Sequence, residues 1–310
     1  MSPPWIRITI GTGLVAGCAV VLGVDVPLAL WVDAPIAPGF WLLMLLSFWV
    51  GCWEFIRMLR AKGHPVSAPI VLVFTTLLVA SAWLEIYKPL SIPYWMYRSG
   101  LEPSLLVLIA MVFTAFVVEI VGVERGRRGS LERALAGVGW TALVVLTVGM
   151  LGIFLAKVRF FFLLDPEHGD PGSGLLCLAL TVGVVKGADI GAYAIGSALG
   201  RHKLVPTLSP NKTVEGLVGA LAVGIIMALG IGSGIGGFEW PAMLIFGLVV
   251  STAGVLGDLA ESLMKRACGV KDTGRIPGFG GVLDILDSLL AAGPVAYVAL
   301  VVLTRTGMIR

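Results

Sequence analysis

Toward the end of the chain, four acidic residues form two similarly spaced pairs, Asp258 with Glu261 and Asp284 with Asp287. Residues three apart share a face of a helix, so each pair sets two like charges side by side and weakens an isolated helix. Such pairs make sense around a divalent cation. Oxygen donors without His or Cys favour a hard ion such as Mg²⁺, and two pairs facing each other would hold one or two cations over a polyphosphate. Cations are interleaved with them. Lys265, Arg266, Lys271 and Arg275 are suited to neutralising phosphate oxygens. Gly278, Gly280 and Gly281 flank Phe279 and let backbone N–H groups approach a phosphate closely. A helix opening just beyond these glycines would add the positive end of its dipole. Together these features suit phosphoryl or nucleotidyl transfer.

A second polar stretch lies upstream. Asp189 sits well inside an apolar run, three residues after Lys186, and Lys203, Ser209 and Lys212 follow within the next polar segment. Each cluster also has a plainer reading. Lys265-Arg266 alone reads as an interface anchor that snorkels to the headgroups. Asp258 or Glu261 reads as an exposed helix-end residue, and Asp189 as the ion-pair partner of Lys186. All of these would have to hold at once on one side of a membrane, and the functional reading is preferred for that reason.

The elements that must position these residues are apolar. Of 310 residues, 57% are hydrophobic and 13% charged, and mean hydropathy is +0.97. An average soluble domain has about 25% charged residues; here lipid must solvate much of the surface. The formal net charge of +3 is too small to indicate a nucleic-acid partner. Cys18, Cys52, Cys177 and Cys268 show neither metal-ligand nor disulfide spacing. Runs long enough to cross a bilayer lie near 7–24, 39–59, 67–86, 103–122, 134–156, 173–195, 214–234, 241–257 and 289–304. The first is read as a retained span, because no small-residue cleavage site precedes Asp25. Lys and Arg cluster at 57–62, 125–133, 201–212 and 265–275, all on the side of Arg7, which predicts a cytoplasmic N-terminus and an opposite C-terminus. Both polar stretches then face the cytoplasm, where nucleotides are found. The Gly232–Gly237 match to G-x-G-x-x-G follows a membrane helix and reads as a turn. The Asn211-Lys212-Thr213 sequon is irrelevant on that side. The fold class expected is an all-α polytopic membrane protein with about nine transmembrane helices, organised as one integral membrane domain over 1–310. Within it, spans 1–172 carry little signature and 173–310 form the catalytic region.

Residues 189–288 carry a resemblance to a known family. The run Gly257-Asp258-Leu-Ala-Glu261-Ser262-Leu-Met-Lys265-Arg266 continues to Lys271-Asp272, Pro277-Gly278-Phe279-Gly280-Gly281 and Asp284-Ile285-Leu-Asp287-Ser288. The preceding block is Asp189-Ile-Gly191-Ala192-Tyr193, Gly200-Arg201-His202-Lys203-Leu204 and Ser209-Pro210-Asn211-Lys212-Thr213. Together they resemble the phosphatidate cytidylyltransferases, or CDP-diacylglycerol synthases. Trp53-Glu54 is a fainter echo in the N-terminal half. The family usually has His where Phe279 stands and Arg where Ile285 stands, and its turn between Asp272 and Pro277 is one residue longer.

The resemblance implies that phosphatidic acid attacks the α-phosphorus of CTP, with Mg²⁺ and one further cation as cofactors, in a homodimer of the bacterial inner membrane. It implies that Asp258, Glu261, Asp284 and Asp287 bind metal and that Lys265, Arg266 and Lys271 bind phosphates. Asp189, Lys203, Ser209, Lys212, Ser262, Gly280 and Gly281 would complete the substrate pocket. The rival readings are a CTP-dependent lipid-alcohol kinase, which would release CDP, and a transporter built around Asp189 and Lys186.

Overall fold

The computed structural model describes residues 17, 20–25, 27–28, 31, 37–86, 102–126, 130–164, 171–234, 238–274, 276 and 280–309. Its complete elements, in chain order, are α1 (Pro38–Ala61), α2 (Ala68–Ile86), α3 (Pro103–Glu124), α4 (Leu131–Val144), a π-helical turn (Val145–Met150) and α5 (Leu151–Arg159). These are followed by α6 (Pro171–Leu199), strands β1 (Lys203–Val205) and β2 (Ser209–Thr213), then α7 (Val214–Gly232), α8 (Trp240–Ala267) and α9 (Val282–Arg305). Among the described residues, eight helices are long and apolar enough to cross a membrane, with α4, the π-helical turn and α5 forming one of them. The chain is an integral membrane protein of all-α polytopic class.

The helices begin where the sequence stops them from beginning earlier. Pro38 and Pro103 open α1 and α3, where a missing N–H costs nothing. Ser130 and Thr213 cap α4 and α7 by accepting from the N–H groups of Arg133 and Gly216, each at 3.1 Å. Buried acids do the same work across the chain. Asp25 accepts from the N–H groups of Gly39 (3.0 Å) and Phe40 (2.8 Å), and Glu85 accepts from that of Ser104 (2.9 Å). In lipid an unsatisfied N–H has no water to turn to, so such caps substitute for solvent.

Eight of the nine expected spans are present with nearly the expected limits, and the first falls mostly outside the described residues. Two boundaries differ in a way that matters. The helix expected to end near 257 continues to Ala267, and the one expected to start near 289 starts at Val282. Charged side chains do not break a helix, and 258–267 contains neither Gly nor Pro. The acidic pairs therefore stand on helices and not in a connecting loop.

By packing, the chain divides into two compact units, 1–153 with 268–284, and 154–267 with 285–310. In the first unit, Phe48, Phe55, Ile56, Leu59, Leu78 and Met111 form the buried interior. Within it α3 lies outermost. Only 17% of its apolar window is buried, against 56% for α2, and its covered residues are Ser104, Met111, Ala115 and Glu119. In the second unit, α6, α7, α8 and α9 pack through Leu180, Val184, Val185, Phe246, Val250, Ala292 and Leu300. Here α6 and α7 meet backbone to backbone: a Cβ at Gly219 would lie 2.7 Å from the carbonyl oxygen of Gly191. An antiparallel hairpin joins them, with Lys203 opposite Thr213 and Val205 opposite Ser209.

Candidate active site

Helices α8 and α9 approach closely at Gly257. A Cβ there would sit 2.6 Å from the Cβ of Ala291 and 2.7 Å from the carbonyl oxygen of Asp287. This contact brings Asp287 of α9 beside the next residues of α8. As a result, one carboxylate oxygen from each of Asp258, Glu261 and Asp287 lies within 4.8 Å of the others. Glu261 and Asp287 are buried, and Asp258 is partly exposed.

Three like charges at such spacing are costly without counter-charge. Two lysines supply some of it. Lys265 Nζ contacts Glu261 Oε2 at 2.6 Å, one turn along α8, and Lys212 Nζ, from the end of β2, contacts Asp258 Oδ2 at 2.5 Å. Asp287 Oδ1 accepts from the N–H (2.5 Å) and hydroxyl (2.9 Å) of Ser288. The other oxygen of Glu261, Oε1, is fully buried and accepts no hydrogen bond. A buried carboxyl oxygen with no donor, in a group of carboxylates that outnumber their lysines, is the condition a bound cation relieves. The all-oxygen donor set fits a hard divalent ion.

Further residues of the second unit surround this centre. Lys186 Nζ donates to Asp189 Oδ2 at 3.0 Å and to the carbonyl of Ile285 at 3.3 Å, tying α6 to the start of α9. Both ends of the Lys186–Asp189 pair are more than one-third exposed. Its ammonium is also within electrostatic range of Asp287. Arg266 Nε donates to the carbonyl of Leu208 at 3.3 Å, so the hairpin that presents Ser209 and Lys212 is fastened to α8. Ser262 is partly buried one residue past Glu261, and Lys203 is exposed at the start of β1. At the hairpin base, His202 Nδ1 lies 2.6 Å from Glu215 Oε1.

Asp284 behaves differently. It belongs to the first unit and is not among the three converging carboxylates. Its Oδ2 accepts from the Thr273 N–H (2.9 Å), the Thr273 hydroxyl (2.9 Å) and the Gly281 N–H (2.6 Å). An acid at the third position of a helix reaches back to the capping residue's N–H in the manner of a capping box. The geometry also corrects the expectation that Gly280 and Gly281 offer their amides to a phosphate. Gly281 N–H is taken by Asp284, and Gly280 N–H donates to the carbonyl of Ile276 at 3.1 Å, closing a tight turn. Gly280 needs its positive φ of 86° there, since a Cβ would strike the Asp284 carboxylate. Nor is the N-terminus of α9 open to a ligand. Glu54 of α1 accepts from Val282 N–H (3.1 Å) and Leu283 N–H (2.8 Å), and from the Thr273 hydroxyl (3.3 Å). Lys271 is exposed in this loop. Arg275 and Phe279 lie outside the described residues.

Sequence reasoning did not assign Glu54 or Thr273 a part. The one signal for Glu54 was the Trp53-Glu54 echo of the family, an acid in an apolar run. For Thr273 there was none, because a hydroxyl in a polar loop is unremarkable until its partners are known.

Comparison with known proteins places these residues in context. The sequence model of the cytidylyltransferase family matches residues 15–303. A phosphatidate cytidylyltransferase of Chlamydia pneumoniae is 32% identical over 259 residues, covering 82% of this chain and 79% of that protein. One from Synechocystis is 31% identical over 276 residues, covering 83% and 87%. One from Mycobacterium tuberculosis is 29% identical over 289 residues, covering 92% and 82%.

Proposed function

The chain belongs to the cytidylyltransferase family, and on that footing we propose that it transfers the cytidylyl group of CTP to phosphatidic acid. A phosphate oxygen of the lipid bonds to the α-phosphorus of CTP, the bond from that phosphorus to the bridging oxygen breaks, and pyrophosphate leaves. The products are CDP-diacylglycerol and pyrophosphate. The observation that carries this reading is the meeting of Asp258, Glu261 and Asp287, with Lys212 and Lys265 on their outer oxygens.

The nucleophile is already an anion, so no strong general base is needed. The work is to bring two anions together and hold them in line. Asp258, Glu261 and Asp287 would hold the cation, with Asp258, the most exposed, at the entrance. When bound, Mg²⁺ would offset charge on the triphosphate and on the departing pyrophosphate. Lys212 and Lys265 keep the carboxylates apart from one another and present ammonium groups beside them for phosphate oxygens. Lys186 holds Asp189 against the start of α9, and Arg266 keeps the hairpin carrying Lys212 in register with Asp258. The basic flanks at 201–212 and 265–271 support a cytoplasmic placement of this end of the helices, in a bacterial inner membrane.

Purified protein in mixed micelles with CTP, phosphatidic acid and Mg²⁺ should release pyrophosphate and form a CDP-linked lipid in equal amounts. CDP release with a phosphorylated lipid alcohol would identify a kinase and overturn the assignment.

A further inference from the structure

One buried acid of the first unit, outside the proposed centre, is bonded to the start of α9. Glu54 is 8% exposed. Its two oxygens take the first two N–H groups of α9 and the Thr273 hydroxyl, spanning more than two hundred residues of sequence. Space for it is made by glycines. A Cβ at Gly274 would lie 2.5 Å from Glu54 Oε1, and one at Gly281 would collide with Oε2. Thr273 joins this clamp to Asp284, since its single hydroxyl lies against both carboxylates. Thr273, the start of α9 and the middle of α1 are thereby fixed to one another. One helical turn beyond Leu283, the same helix carries Asp287.

We propose that Glu54 is a positioning residue for the transferase reaction, fixing through the first N–H groups of α9 the direction in which that helix presents Asp287. The proposal rests on the reaction assigned above. Glu54 touches no reacting atom. It holds the first turn of that helix, and an error of about 1 Å at a reacting centre costs roughly a hundredfold in rate. A buried carboxylate suits this task better than a hydroxyl cap, because it bonds two successive N–H groups at once and favours the positive end of the helix dipole.

The test uses the full-length protein in lipid, with Glu54→Gln, Glu54→Asp, Thr273→Val and Thr273→Ser. Glutamine keeps the shape but aims an NH₂ at one of the two N–H groups, and aspartate keeps the charge but is one methylene short. Both should lower kcat by roughly thirty- to a hundredfold while leaving KM for CTP within about twofold. Thr273→Val should lose about tenfold in kcat, and Thr273→Ser should restore it. Added to Glu54→Gln, Thr273→Val should cost little more, since both break one clamp. Amide exchange at 281–283 should quicken in Glu54→Gln while exchange in 243–257 of α8 stays unchanged. Wild-type kcat in Glu54→Gln, a rise in KM at constant kcat, or quickened exchange throughout the protein would each overturn the proposal. If Glu54→Gln does not fold, the Thr273→Val and Thr273→Ser pair decides: equal activity in the two sinks it. Absence of a CDP-linked lipid with the unsubstituted protein defeats the assigned reaction instead, whereas wild-type kcat in an active Glu54→Gln preparation defeats this inference alone.

Discussion

Several acids of the two units are partnered in opposite ways. In the first, Asp25, Glu54, Glu85 and Asp284 each bond the backbone N–H groups that open a helix. In the second, Asp258, Glu261 and Asp287 face one another, with fewer lysines than carboxylates and one buried oxygen accepting no bond. The first set is bonded to the backbone as it stands, and the second is where the proposed cation would offset charge. An acid inside a membrane helix is thus not by itself a mark of chemistry. Its partners decide, and backbone amides indicate architecture whereas other acids indicate a site.

Substitutions that erase a carboxylate without changing its shape should separate the two classes. The largest effect is expected from Asp287→Asn. Turnover should fall by a hundredfold or more, because the residue lies at the meeting point of α8 and α9. At the same time, thermal stability measured without divalent cation should hold or rise, since a repelling charge is removed and the Ser288 bonds can be kept. A fall in stability with activity retained would erase the contrast. Chelation with EDTA should abolish activity reversibly, with Mg²⁺ restoring it; full activity in chelator would remove the metal from the account. Glu261→Gln should cost less, about tenfold to a hundredfold in kcat, with the Mg²⁺ concentration for half-maximal rate rising. Glu85→Gln should do the reverse of Asp287→Asn. It should destabilise by about 1–3 kcal/mol through the weakened bond to Ser104, with kcat per folded molecule unchanged. The smallest effect is expected from Arg266→Ala, which removes one tie between the hairpin and α8 and leaves the Lys212–Asp258 pair. KM for CTP should rise a few-fold at nearly constant kcat, since one exposed hydrogen bond contributes about 1 kcal/mol.

Much of the scaffold was legible in the sequence, because a bilayer imposes one rule on length and composition. Eight expected spans recur within a few residues at most ends, and the exceptions sit beside the acids. Hydropathy falls at Asp258 and does not recover until Leu289, although the helix continues through 258–267 and resumes at Val282. Polarity marks where lipid ends, not where a helix ends. Spacing revealed the pairs Asp258–Glu261 and Asp284–Asp287 but not that they part company. Asp258, Glu261 and Asp287 meet because Gly257 lets two helices touch, a tertiary fact. Asp284, at the third position of its helix, turns back to Gly281 and Thr273. The glycine turn differs for a related reason: the amides of Gly280 and Gly281 are free in the sequence and taken in the fold, by the Ile276 carbonyl and by Asp284.

The peripheral position of α3 carries a lesson about how much a span needs to specify. Ser104 and the stripe through Met111, Ala115 and Glu119 are its covered positions, while Phe113, Val117, Val118 and Ile120 face outward. That outward face is written in an alphabet of one letter, greasiness, and its order conveys no message. Permuting those four residues among themselves should leave folding and turnover untouched, whereas sliding the stripe by a single position should not. Drift between related proteins is therefore free to accumulate along one side of this helix and is held still on the other.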